Sequence, residues 1–335
     1  MTFPISYLLF FSTLLTGTLL SISSTSWFGA WLGLELNLLS FIPLITTKMS
    51  PFLSEAAIKY FLVQALASTI LIMSSSLYMC MPDFSYSLIL ISLMIKLGAA
   101  PVHFWFPQVI EGLSWPQAFI LLTIQKMAPM FLISYLTFTP TLALMITSMA
   151  LLSSVVGAVG GLNVMKLRKL MAFSSINHMS WMLIAMSLND MMWLIYFLFY
   201  CFTSGSVIIL LYSTHTYTIS NVLNQNNKSA ILSILIPMNL LSLGGLPPFL
   251  GFIPKWIMIQ LFSSKMMIFI LLILLISSLI TLYFYLRLFI PMILLSFSSL
   301  TSTMKSTPFI PQSPILVVSS FLNLFGILFP ISFLV

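Results

Sequence analysis

The sequence predicts an all-α membrane fold of about eleven transmembrane helices with paired discontinuous helices, and three observations lead there. Of 335 residues, 60% are hydrophobic and only 5% charged, against about 25% charged in soluble domains. Apolar runs of about 20 residues, the length that crosses a bilayer, recur along the whole chain. Two of them are interrupted at membrane depth, by LGAAP at 97–101 and LGGLP at 243–247. Broken backbone survives there only where protein or a wet cavity satisfies the freed groups.

Taken in order, the apolar runs lie near 3–23, 27–47, 56–80, 84–107, 116–138, 141–162, 170–188, 192–214, 228–262, 266–292 and 314–334. The opening MTFPISYLLFF has no basic leader region and reads as the first span. The run 228–262 is too long for one span and is interrupted at GGLPPF, so it reads as one discontinuous helix. No hydrophilic stretch is long enough for a second domain, so residues 1–335 read as one polytopic unit. Loops on the N-terminal side carry Lys48, Lys166, Arg168, Lys169 and Lys305, with Lys228 at a boundary; the other side carries Asp83, Asp190 and Lys265. The positive-inside rule then puts the N-terminus in the matrix or cytoplasm and the C-terminus opposite.

The two interruptions echo each other. LGAAP is followed by Pro107 and LGGLP by Pro254, with 146 residues between Leu97 and Leu243 and 147 between the prolines. Each lies beside a lysine, Lys96 or Lys255. They lie five spans apart, in the fourth and ninth runs, so the two units run in opposite directions, as in transporters built from inverted repeats. The first repeat spans about 3–138, the second about 141–292, with a C-terminal helix at about 314–334.

Charge at depth is expensive, and it marks function by default. Glu35, Lys96 and Lys126 lie within spans, Lys255 lies in the interrupted ninth run, and His178 is central in the seventh. For each, helix locking or packing is the alternative, most of all for His178. Desolvation disfavours a lysine's charged form and a nearby carboxylate restores it. A row of lysines at one depth can therefore hand protons along through water, each emptying before it refills. Lys59 and Arg287 lie near span ends, where snorkelling explains them. Gly157 and Gly161 form a helix-packing GxxxG.

Other chemistries find no residues. Cys80 and Cys201 are isolated and form no redox framework. His103, His178 and His215 sit on different segments and supply no paired haem ligands. The basic residues, net charge +7, are scattered, so nucleic acid is not an expected partner. No nucleotide loop, metal cluster or hydrolytic triad is present.

GLELNLLSFIPL, EAAIKYFLVQALAS, IKLGAAPVHFWFPQVIEGLSW, GGLNVMKLRKLMAFSSINHMSW and LSLGGLPPFLGFIPKW, together covering 33–256, resemble the subunit 2 family of mitochondrial NADH dehydrogenase, respiratory complex I. The resemblance implies an antiporter-like, proton-pumping membrane-arm subunit with two inverted five-helix repeats, in a form lacking three N-terminal helices of bacterial relatives. It places the family's glutamate on Glu35, its broken-helix lysine on Lys96, its connecting lysine on Lys126 and its second-half lysine on Lys255. It departs at Ser180, where relatives often have glycine in an HMGW motif. Implied partners are neighbouring antiporter-like and accessory subunits and lipids of the mitochondrial inner membrane, with the N-terminus in the matrix and the C-terminus in the intermembrane space. FMN, iron–sulfur clusters and ubiquinone belong, on this likeness, to other subunits. A free-standing cation/proton antiporter and a purely structural subunit are the rival readings.

Overall fold

Among the residues described by the computed structural model, 5–46, 50–225, 230–300 and Asn323, the chain forms fourteen α-helices. Lys48, Lys228 and Lys305, used above for orientation, lie outside the described residues, as does the run 314–334 apart from Asn323. Among the described residues, seven helical stretches are long and apolar enough to cross a membrane: Ile5–Ser23, Trp27–Ile45, Pro51–Leu77, Trp115–Ser134, Pro140–Gly160, Asp190–Ser213 and Ile268–Leu294. The chain is a multi-pass membrane protein.

Helix starts follow local chemistry. α1 is Ile5–Ser23 and α2 Trp27–Ile45, where the Ser26 side chain accepts from the Gly29 amide and caps the first turn. α3, Pro51–Leu77, begins earlier than hydropathy suggests because Ser50 caps it and Pro51 occupies a position that needs no amide donor. Its first turns carry Glu55 and Lys59, paired at 2.6 Å and exposed.

The first interruption separates α4, Pro82–Leu97, from α5, Trp105–Gly112. A break that the sequence reading did not foresee divides the run 116–138 into α6, Trp115–Leu122, and α7, Ile124–Ser134. It falls at Thr123, which carries neither of the usual breaker residues; its hydroxyl instead donates to the Phe119 carbonyl, 2.7 Å away. Pro129 follows one and a half turns later and cannot donate to the helix ladder.

α8 is Pro140–Gly160, α9 Leu167–Leu188 and α10 Asp190–Ser213. A short α11, Ile219–Gln225, is also new to the reading. The second interruption separates α12, Ala230–Gly244, from α13, Phe252–Ser264; α14 is Ile268–Leu300.

The chain divides into two compact units, Met1–Ser153 with Met186–Asp190, and Ser154–Ala185 with Met191–Val335. In the first, α1 lies against α2 at backbone distance: a Cβ on Gly33 would stand 2.5 Å from the Ser21 amide nitrogen. α3 packs on α2, α4 and α5, and α7 on α1 and α4. In the second, α14 packs on α11, α12 and α13. Gly157 meets the α9 backbone near Phe173 and Asn177, and Gly161 meets the Phe284 ring. Arg287 donates to the Leu162 carbonyl at 2.9 Å.

Candidate functional site

Ending a helix inside the membrane leaves its last carbonyls without partners, and the first unit supplies them. Gly98, at φ +71°, turns the chain left-handed, so that its amide and that of Ala99 return to the carbonyls of Ile95 and Met94. Trp105 Nε1 also donates to the Ile95 carbonyl, at 3.1 Å, and Gln64 Nε2 to that of Lys96, at 3.3 Å. The break thus puts Lys96 in the last turn of α4, where the helix dipole favours a cation.

Lys96 is 7% exposed, and its Nζ has no hydrogen-bond partner among the described residues. It lines a cavity with Asn37, Tyr60, Gln64, Gln125 and Lys126, among others. Glu35 is half-buried and makes no direct ion pair with Lys96, yet its charge acts on both Lys96 and Tyr60. Lys126 lies just past the Thr123 break and is 2% exposed; its Nζ is 4.8 Å from the centroid of the Phe106 ring, within cation–π reach. The Tyr60 hydroxyl donates to Gln125 Oε1 at 3.3 Å. Gln117 Nε2 donates to the carbonyls of Leu44 and Ile45, at 2.7 and 3.1 Å, closing the end of α2.

The second unit holds Lys255 and His178. Lys255 Nζ donates 2.8 Å to the Gly244 carbonyl, the last of α12, so the ammonium itself caps this broken helix. Gly245, at φ +78°, leaves room for it; a Cβ there would stand 2.8 Å from Lys255 Cδ. Gly251 packs directly on the Ser242 carbonyl oxygen, which any larger residue would overlap.

Compared along the sequence, the two breaks are in step. Leu97 and Gly244, Gly98 and Gly245, and Trp105 and Phe252 are each 147 residues apart. The lysines are not: Lys96 precedes the first break, whereas Lys255 follows the second.

His178 Nδ1 is 3.0 Å from the Tyr196 hydroxyl, and its ring centroid is 5.2 Å from that of Tyr200. Ser180, fully buried, donates back to the Asn177 carbonyl at 2.6 Å, so its hydroxyl is bonded within its own helix. Asn323 Nδ2 lies 2.8 Å from Ser206 Oγ, 2.6 Å from Asn239 Oδ1 and 2.9 Å from Ser242 Oγ, and its carbonyl accepts from the Leu250 amide in the second break.

Of the residues predicted from sequence, Lys96 and Lys126 thus share one cavity with Glu35 in electrostatic reach, while Lys255 and His178 each have partners of their own. Asn37, Tyr60, Gln64, Gln125 and Asn323 were not singled out. Tyr60 and Gln64 are one helical turn apart on α3, and Asn37 is two residues past Glu35; polar residues recurring at depth were the signal. Among the described residues, no three His, Cys, Asp or Glu side chains gather to hold a metal.

A family model described as NADH:quinone oxidoreductase/Mrp antiporter, transmembrane, matches residues 24–83 and 79–281. NADH-ubiquinone oxidoreductase chain 2 of Anopheles gambiae is 45% identical over 332 residues, 96% of each chain. That of Aedes aegypti is 44% identical over 97% of this chain and 96% of its own. Among solved structures, a chain of respiratory complex I from Thermus thermophilus with bound aureothin superposes at a TM-score of 0.83, with 26% identity, covering 98% of this chain and 79% of that one.

Proposed function

The chain belongs to the NADH:quinone oxidoreductase/Mrp antiporter transmembrane family, and we propose that it is a membrane-arm subunit of respiratory complex I that carries protons through its own buried lysines. On this reading it contributes to proton translocation coupled to electron transfer from NADH to ubiquinone, without binding either. FMN, iron–sulfur clusters and ubiquinone are held by other subunits. The chain lies in the mitochondrial inner membrane with its N-terminus in the matrix and its C-terminus toward the intermembrane space, among other membrane-arm and accessory subunits and lipid.

The observation that carries the proposal is the shared cavity. Two lysines more than nine-tenths buried line it, and one of them, Lys96, has no hydrogen bond to hold it among the described residues and lies in the field of Glu35. Two permanent ammonium charges on the wall of one buried cavity repel and are poorly solvated. Holding one proton between the two relieves both costs. A negative Glu35 favours the proton on Lys96; a change that weakens its influence releases the proton toward Lys126. Lys255 and His178 then continue the sequence in the second unit, which keeps the two inverted repeats as successive stations.

The test is Lys126→Met in intact complex reconstituted into liposomes. Complex should assemble at normal yield and carry fewer protons per NADH oxidised. An unchanged proton-to-electron ratio would refute the proposal.

A further inference from the structure

We propose that the cavity beside Lys96 is a binding site for one water held by Asn37, which makes Asn37 a positioning residue for proton transfer; this rests on the pumping role proposed above. Asn37 is 2% exposed, and neither Nδ2 nor Oδ1 of its side chain has a hydrogen-bond partner among the described residues. Roughly 90% or more of buried polar groups are bonded, so a doubly unpartnered amide calls for a ligand. Lys96 Nζ is in the same condition and lines the same cavity.

The neighbours do not answer that need. Gln64 Nε2 is committed to the Lys96 carbonyl, and the Tyr60 hydroxyl to Gln125. The side chain of Asn37 is wedged by α1: a Cβ on Gly17 would stand 2.6 Å from Asn37 Oδ1. The water-accessible space is about 20 Å³, above the roughly 10–15 Å³ that one water requires. Two lysines on its wall exclude a metal cation. A water fits the chemistry: it accepts from the Lys96 ammonium and either donates to the Asn37 oxygen or accepts from its nitrogen.

The amide does not itself change protonation. It keeps the water where that water can take a proton from Lys96 Nζ while passing one of its own onward to the next acceptor on the cavity wall, so that one N–H bond breaks on Lys96, the acceptor gains the proton, and the water is restored.

The experiment compares Asn37→Leu, Asn37→Ser and Lys96→Met in the intact complex, measuring assembled yield, coupled turnover and proton-to-electron ratio, with a water-resolving structure of the unmodified complex. The expected result is an ordered water against Asn37 and Lys96. Coupled turnover per assembled complex should fall about tenfold in Asn37→Leu, equivalent to about 1.4 kcal/mol, and Asn37→Ser, which keeps a polar group, should recover most of it. Loss of yield in proportion to turnover in both Asn37 variants would make the residue a packing element against Gly17 and overturn the inference. So would normal pumping in Asn37→Leu alongside impaired pumping in Lys96→Met, which leaves the broader role standing. Normal pumping in Lys96→Met would overturn the broader role itself.

Discussion

Lys96 and Lys255 look alike in the sequence, yet their surroundings predict opposite responses to the same substitution. Methionine keeps much of the lysine stem's volume and removes the ammonium. At Lys255 that deletes the 2.8 Å donor to the Gly244 carbonyl and leaves a buried helix end unsatisfied. Leaving such a group unpaired costs about 1–3 kcal/mol, which favours local opening of the second break by about 5–150-fold. At Lys96 no hydrogen bond is lost, because Nζ has none among the described residues. What is lost is the dipole attraction at the end of α4, about 0.3–1 kcal/mol. What is removed is a buried, poorly partnered charge whose burial costs several kcal/mol. The second effect wins, so Lys96→Met should leave the fold intact or tighten it. Amide hydrogen exchange on the assembled complex reads both. Exchange at 244–251 should quicken in Lys255→Met, and exchange at 94–99 should stay level or slow in Lys96→Met. Equal acceleration in the two variants, or none in Lys255→Met, would refute this reasoning.

Three further perturbations follow from the same geometry. Gly98→Ala forces a left-handed residue with a Cβ 3.0 Å from Phe106 Cβ; it should cost about 1–2 kcal/mol or more, seen as faster proteolysis or exchange around the first break. Gly251→Ala overlaps the Ser242 carbonyl oxygen and should abolish accumulation of assembled complex on a native gel; normal assembly would mean the break is docked differently. Gln117→Leu strips two donors from the end of α2 and should destabilise the Leu44–Thr46 turn by about 1–3 kcal/mol, again read by exchange, with Gln117→Glu failing to rescue because a carboxylate cannot donate.

The membrane class and both glycine-containing breaks were legible because each rests on a strong local signal: sustained apolarity, and glycine with proline where a helix should continue. The Thr123 break was not, since threonine is a tolerated helix residue and only its backbone, at φ −117° and ψ −79°, marks the departure. Lys96, Lys126 and Lys255 were legible as buried cations, because few charges exist to choose from. That Lys255 is bonded and Lys96 is not could not be read, because it depends on which side of its break each lysine occupies: Lys96 precedes the first, and Lys255 reaches back across the second to the Gly244 carbonyl. Asn37 and Asn323 were hidden for another reason: neutral amides are common in apolar spans, and their weight comes only from what surrounds them in space. The early start of α3 was missed because hydropathy discounts Glu55 and Lys59, which form an exposed pair on a helix that Ser50 has already begun.

The central claim is that protons pass through this chain by way of Lys96. The most direct test is the proton-to-electron ratio of intact complex carrying Lys96→Met, reconstituted in sealed liposomes and driven by NADH and a soluble quinone. The account predicts normal assembly with a lowered ratio or sharply slowed coupled turnover. A ratio and turnover equal to those of the unmodified complex would contradict it.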